Sequence, residues 1–386
     1  MIIGIDARLW SETGVGRYIR NLLTGIDIRE SEEASGNSYK VFFRKKDIAK
    51  VNFKSRNIVK CMADVPWHGI SEQIILPKLF RNEKIDLMHF PYFSVPVFYN
   101  NPYIVTIHDL IISNYPTGKA STLPYPIYRL KRLGYQYVLS NSIKKAKQII
   151  VPSFAVKKDL IQLFPKTSPS KIQVIYEGGF DSFSKIKKDN LLSGKKYFLR
   201  VGNMYPHKNL EVLIKGFSMF LKKDKYKDYF LVLVGKRDFF FKEVEQKIKS
   251  YGVSKNVLFI EEPEDEVLYS LYRHAICSVV PSLMEGFSLT ALESISSKCP
   301  VIISDIPVHR EICGDVAIYF NPKKAEDLKD KMEFVSKLKE EDREKLIEKG
   351  MTQSKKFSWN KMLNETLKVY KDVLKSIKPD DYFVHL

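Results

Sequence analysis

Short apolar runs rich in Val, Ile and Leu recur along the whole chain, each four to six residues long and separated from the next by polar or helix-patterned stretches. The first series runs Ile2–Ala7, Tyr39–Phe43, Ile58–Met62, Leu87–Phe90, Tyr103–His108, Gln148–Pro152 and Ile172–Tyr176. The second runs Tyr197–Val201, Phe230–Val234, Val257–Ile260, Cys277–Val280, Val301–Ser304 and Ala317–Phe320. Helical periodicity lies between them, clearest over Gly16–Ile26, Leu133–Ala146, Asn209–Leu221, Phe240–Tyr251 and Asp265–His274. Continuous rather than alternating apolar runs mark strands covered on both faces, and their alternation with helices predicts an α/β chain of doubly wound parallel sheets. Two series in 386 residues predict two such domains, because a single core of that size is uncommon. The polar stretch Asp181 to Lys196 reads as the linker between them, and a final helical segment follows the break at Ser358-Trp359-Asn360.

Composition narrows the class. Cys61, Cys277, Cys299 and Cys313 are scattered within or beside apolar runs; this predicts reduced, buried thiols and no structural zinc. The chain enters a strand at once, with no signal-peptide pattern, and no apolar stretch is long enough to span a bilayer. The expected location is cytoplasmic, with room for peripheral attachment to the inner face of a membrane. The net charge is +18, unevenly spread: Leu110 to Lys158 holds no Asp or Glu and nine basic residues, Arg129, Lys131 and Arg132 among them. That stretch also carries Tyr115, Tyr125, Tyr128, Tyr135 and Tyr137. Basic residues mixed with aromatic ones suit an anionic partner, either a membrane surface or a lipid diphosphate.

The candidate chemistry sits in loops that follow strands, where open parallel sheets bind ligands. The first strand leads into Gly14-Val15-Gly16-Arg17-Tyr18, a glycine turn that opens a helix. Such a turn can cradle phosphate, but the third glycine of a dinucleotide fingerprint is replaced by Ile19, which argues against a nicotinamide cofactor. His108-Asp109 closes the fifth run. In the second half, Val201-Gly202-Asn203 leads to Pro206-His207-Lys208-Asn209 and a helix, so Lys208 is placed to neutralise a diphosphate. Glu285 and Glu293 flank Gly286-Phe287-Ser288-Leu289. On spacing alone the two carboxylates could be an acid and a base, or could both be ligands for a substrate.

Taken together, these loops resemble the retaining GT-B glycosyltransferases of family 4, in a mannosyltransferase-like branch. The resemblance is carried by the glycine turn, Ile107-His108-Asp109, Pro206-His207-Lys208-Asn209, the Glu285–Glu293 block, Pro300-Val301-Ile302, His309-Arg310-Glu311 and Gly314-Asp315. It implies two Rossmann-like domains facing across a cleft: residues 1–185 on the acceptor side and 186–360 holding the nucleotide sugar, with 361–386 a helix packing back on the first. It further implies transfer of a sugar, mannose first among the candidates, from a GDP- or UDP-sugar to a glycan or polyprenyl-diphosphate-linked acceptor with retention. No metal and no cofactor are expected, and no Asp-x-Asp occurs.

By the same resemblance His108, Lys208 and Glu285 are the catalytic group. Gly14, Gly16, Asn203, Lys208, Glu285, Gly286, Phe287, Ser288, Leu289 and Glu293 bind the donor, with Glu285 on the sugar and Glu293 on the ribose. Arg17, Asp109, Arg129, Lys131 and Arg132 face the acceptor. Asn203 stands where many relatives carry Arg, which leaves Arg200, Lys236 or Arg237 as the second cation for the diphosphate. Competing readings are a sugar-nucleotide epimerase, a glycan phosphorylase or a basic nucleic-acid-binding protein. No nucleic-acid-binding motif is visible for the last of these.

Overall fold

The structure, a computed structural model, describes residues 1–33, 35–114, 125–180 and 191–377. Tyr115, Lys119 and most of the expected linker lie outside them. The described chain divides into two compact units. One comprises Met1–Asn114, Tyr125–Glu177 and the last helix from Trp359; the other comprises Gly178–Ser358.

In the first unit, strands β1 (Ile2–Asp6), β2 (Ser38–Phe43), β3 (Ile58–Met62), β4 (Leu87–Phe90), β5 (Tyr103–Thr106), β6 (Gln148–Val151) and β7 (Ile172–Val174) form one sheet. Its order is β3-β2-β1-β4-β5-β6-β7, and every ladder is parallel. β4, β5 and most of β1 are buried on both faces, which is why they read as unbroken apolar runs. An aromatic cluster of Phe42, Phe80, Phe90, Tyr99 and Tyr103 fills the core beside them. The last helix, Trp359–Ser376, buries Trp359, Met362, Leu363, Thr366, Tyr370, Val373 and Leu374, one stripe at three- and four-residue spacing. That stripe lies against the first helix, Gly14–Glu32, and Arg29 donates to Asn364 Oδ1 at 2.7 Å on the outside of the pair.

The second unit repeats the plan with six strands: β8 (Lys196–Val201), β9 (Tyr229–Gly235), β10 (Val257–Glu261), β11 (Cys277–Val280), β12 (Val301–Ser304) and β13 (Ile318–Phe320). Their order is β10-β9-β8-β11-β12-β13, again all parallel. Phe198, Phe217, Phe220, Tyr226 and Tyr229 pack together on one side of this sheet. In each unit the chain's direction of winding reverses once, between β1 and β4 and between β8 and β11. At such a point two neighbouring loops diverge above the strand ends and leave room for a ligand.

Two differences from the sequence expectation have a physical cause. The helix Ile70–Asn82 has no clean apolar period, because Ile70, Ile74 and Ile75 point to solvent and Pro77 lies inside it. The helix expected at Leu133 starts earlier and spans Tyr125–Lys145; Ile127, Leu130, Leu133 and Tyr137 on it are exposed. Cys277, Cys299 and Cys313 are buried and Cys61 is half-buried; all four are free thiols.

Candidate functional site

The second unit's reversal point is built from two loops, one after β8 and one after β11. Arg200, near the end of β8 and only 2% exposed, turns its guanidinium under the first loop and donates to the Gly202 and Asn203 carbonyls. Burial lowers its pKa to about 10, partly offset by Glu285, so it remains a cation. Gly235 closes the neighbouring strand; a Cβ there would stand 2.4 Å from the Gly202 carbonyl oxygen. Only glycine lets β9 end this close to the loop.

The loop then makes a single turn of 3₁₀ helix, Pro206–Lys208, and ends at Asn209 with φ 58 and ψ 39. Asn tolerates this left-handed conformation better than most residues. Its amide also ties three loops together, donating to the Pro281 carbonyl at 3.0 Å and the Pro322 carbonyl at 2.8 Å. Leu283 N–H donates to the His207 carbonyl at 2.8 Å and closes the seam.

This framework brings Lys208 and Glu285 together. Lys208 Nζ donates to both Glu285 carboxylate oxygens at 2.8 Å, and Ser282 Oγ donates to Oε1 at 2.7 Å. Burial alone would raise the Glu285 pKa. The charge and hydrogen bonds of Lys208, with Ser282, outweigh it and hold the carboxyl at about 2. His309 lies in the same electrostatic neighbourhood. Its Nδ1–H donates to the Ser304 carbonyl at 2.8 Å, its Nε2 has no partner, and burial brings its pKa down to about 4, so the ring is neutral.

Ser288 has φ 73 and stands at the N-cap position of the helix Leu289–Ser296 without a side-chain capping bond, and the first N–H groups of that helix have no partner within it. The Ser288 and Asn203 side-chain oxygens are buried and unpaired. A cation, a carboxylate and a helix N-terminus on one rim can hold a sugar diphosphate: the lysine and the amides suit the phosphates, and the carboxylate suits hydroxyls.

The expected site residues separate on closer view. Glu293 is 3% exposed and accepts a hydrogen bond from Tyr272 at 3.2 Å. Phe287 is a core anchor set edge-on against Phe357 at 5.8 Å. Lys236 pairs with Glu262 at 3.0 Å and Arg237 with Glu261 at 3.6 Å. A cavity of about 720 Å³ continues along the same rim past Leu283, Asp305, Arg310, Tyr319 and Lys323. Neither Lys208 nor Glu285 lines it.

In the first unit, Gly16 is held where a Cβ would meet the Trp10 carbonyl at 2.6 Å, whereas Gly14 stands in open space. Arg17 is half-buried in the helix's first turn. His108 follows β5 and is bonded to Glu177 and to the Pro91 carbonyl. Asp109 Oδ1 accepts from Ile111 N–H at 3.0 Å. Arg129 and Lys131 are exposed and Arg132 is half-buried, all on the helix Tyr125–Lys145. Sequence reasoning missed a buried ion network in this unit, where one Arg8 nitrogen contacts Asp6 and Glu72 at 2.7 Å each. Among the described residues no group of three or more His, Cys, Asp or Glu is placed to hold a metal ion.

Comparison with known proteins agrees with this division. The Glycosyltransferase Family 4 model matches residues 13–178, and the Glycosyl transferases group 1 model matches residues 182–353. The O-antigen chain mannosyltransferase RfbU of Salmonella typhimurium is 27% identical over 332 residues, 83% of this chain and 87% of that protein. The uncharacterized glycosyltransferase MJ1178 of Methanocaldococcus jannaschii is 30% identical over 330 residues, 80% of this chain and 82% of that protein. The architecture is similar to that of sucrose-phosphate synthase from Thermosynechococcus elongatus, with a TM-score of 0.76 at 18% identity, covering 98% of this chain and 100% of that one. Two parallel sheets of Rossmann type, a lysine–glutamate pair at the second reversal point and two successive family matches lead to one assignment: the chain belongs to the group 1, family 4 glycosyltransferases and has the domain architecture of the GT-B class.

Proposed function

We propose that this glycosyltransferase moves mannose from a nucleotide diphosphate donor to a hydroxyl of a glycan or lipid-linked acceptor, with retention at the anomeric carbon and without a metal. The observation that carries the reading is the Lys208–Glu285 pair beside the helix that starts at Leu289. The resemblance to RfbU supports mannose.

In the reaction the bond from the anomeric carbon to the diphosphate oxygen breaks and a bond to the acceptor oxygen forms on the same face. The acceptor's proton leaves with the diphosphate, and the nucleoside diphosphate departs. Lys208 turns from Glu285 to the phosphates, with the helix amides beside it, and Glu285 is then released to accept sugar hydroxyls. These groups meet more negative charge in the transition state than in the bound donor, and that difference lowers the barrier. Glu293 reaches the ribose by exchanging its bond with Tyr272. By the same resemblance His108 acts at the donor sugar.

The acceptor side is read from the helix Tyr125–Lys145. Leu130 and Leu133 are 72% and 63% exposed, and Arg129 and Lys131 lie exposed among them. Apolar side chains flanked by cations match an anionic lipid surface, and we place the protein on the cytoplasmic side of such a membrane. No helix among the described residues is long and apolar enough to cross one.

The deciding experiment is a donor screen by thermal shift, GDP-mannose first and UDP-sugars next, followed by transfer in EDTA to a lipid-linked acceptor with the product's anomeric configuration read by NMR. Stabilisation by GDP-mannose and an α-linked, EDTA-insensitive product are expected. A donor consumed without an acceptor, or a requirement for inorganic phosphate, would replace this reading.

A further inference from the structure

His108 presents both ring nitrogens to groups that only accept. Nδ1 lies 2.9 Å from Glu177 Oε1 and Nε2 lies 3.0 Å from the Pro91 carbonyl oxygen. A neutral imidazole carries a single N–H, so one of these contacts would set lone pair against lone pair. The imidazolium, with two N–H groups, satisfies both. Putting the proton on Glu177 instead would have a carboxyl hold it in preference to an imidazole, against the ordinary order of their affinities.

The surroundings favour the same charge. Asp109, which follows in sequence, adds a negative charge, while Tyr18, from the helix Gly14–Glu32, packs against the ring in a T-shaped arrangement at a centroid distance of 4.9 Å. His89 on β4 is the other imidazole nearby. It is bonded to Tyr370 at 2.6 Å and Thr106 at 2.8 Å, and burial drops its pKa to about 3, so it stays neutral and does not compete. For His108, burial alone would favour the neutral ring. The hydrogen bond and charge of Glu177, then Asp109 and the Pro91 carbonyl, outweigh burial and raise the pKa.

We propose that Glu177 is a positioning residue which, with the Pro91 carbonyl, keeps His108 as an imidazolium at neutral pH, so that His108 acts as a fixed positive charge and not as a general base. The proposal rests on the reading that His108 belongs to the transfer machinery. A fixed cation favours the negative charge growing on a departing diphosphate and takes no proton from the acceptor. Glu177 closes the Tyr125–Glu177 segment of the first unit, so the group that sets the charge of His108 stands where the chain leaves that unit for the second.

The test has two arms, both on the full-length protein. In the first, histidine is labelled with ¹⁵N and the ring nitrogens are followed against pH, with His108→Asn used to assign the signals. At neutral pH both His108 nitrogens should show protonated-type shifts, and in Glu177→Gln one should become pyridine-like. A neutral His108 ring in the wild-type protein overturns the proposal.

The second arm is the pH dependence of transfer. Wild-type activity should hold through neutral pH and fall on the alkaline side. Glu177→Gln retains an acceptor oxygen but loses the charge. It should move that limb about one pH unit lower, as expected for loss of one adjacent charge, while keeping roughly wild-type rates below it. A uniform loss of rate with an unmoved limb would mean a structural role only and would overturn the proposal. The spectra need no substrate, so a preparation inactive with every donor would refute the transferase reading while the ring's charge is still decided.

Discussion

Lys208 is the residue on which most of the proposed chemistry turns. Its amine contacts both oxygens of Glu285, and Lys208→Ala is expected to lower transfer by about 2–4 kcal/mol in activation free energy, the effect typical of losing one preorganised donor. Single-turnover rates with saturating donor would measure it, and near-normal turnover would remove Lys208 from the mechanism. The two charged pairs also give opposite pH signatures. Glu285 has a depressed folded pKa of about 2. Its contribution to stability is therefore complete above the usual carboxyl range and is lost as pH falls toward that value. Glu285→Gln and wild type should differ in melting temperature at neutral pH and converge in strong acid. His108 has a raised folded pKa, so its pair with Glu177 contributes fully below the usual histidine value and fades as pH rises through the folded one. Melts of wild type and Glu177→Gln should therefore converge on the alkaline side.

Lys208 and Glu285 were legible because each sits in a compact local motif at a strand end. The bonds His108–Glu177 and Asn209–Pro322 were not, since their partners lie 69 and 113 positions away in sequence. A lone acidic residue closing the seventh apolar run was the available hint of Glu177. An Asn directly before a helix was the hint of a left-handed turn.

Strands and turns set where these residues stand. All the strands of the two sheets were readable; β4, β5, β11 and β12 are buried along their whole length, and burial on both faces forces unbroken apolar runs. The helix Ile70–Asn82 was not readable, for want of an apolar face to give it a period. In the proposed donor site the end of β9 lies close against the loop after β8. Gly235→Ala would drive a Cβ into the Gly202 carbonyl, and backbone yields less easily than a side-chain tip. A stability loss of about 1–3 kcal/mol is expected from this overpacking, with weakened donor binding because the shifted loop carries Lys208. Denaturant unfolding and donor titration on the same variant would separate the two effects. Unchanged stability would show that the loop relaxes freely.

At the scale of the whole chain, a net charge of +18 gives long-range attraction to anionic surfaces, and the exposed Leu130 and Leu133 give a short-range apolar contact. Sedimentation with vesicles should therefore depend on acidic lipid and weaken at high salt. Leu130→Glu with Leu133→Glu should abolish it without altering the fold, since both side chains already face solvent. Binding that ignores lipid charge would refute the membrane assignment.

The free thiols have a practical consequence. Burial raises the pKa of Cys61 and Cys299 to about 11 and of Cys313 to about 12, and raises Cys277 as well, so little reactive thiolate is present at neutral pH. The native chain should take up almost no maleimide until it is unfolded. Lys255 is exposed in the turn Ser254–Asn256 that enters β10, at the opposite end of the sheet from Lys208. Lys255→Cys should accept a single fluorophore with none of the four native cysteines removed, giving an optical probe attached away from the proposed donor loops.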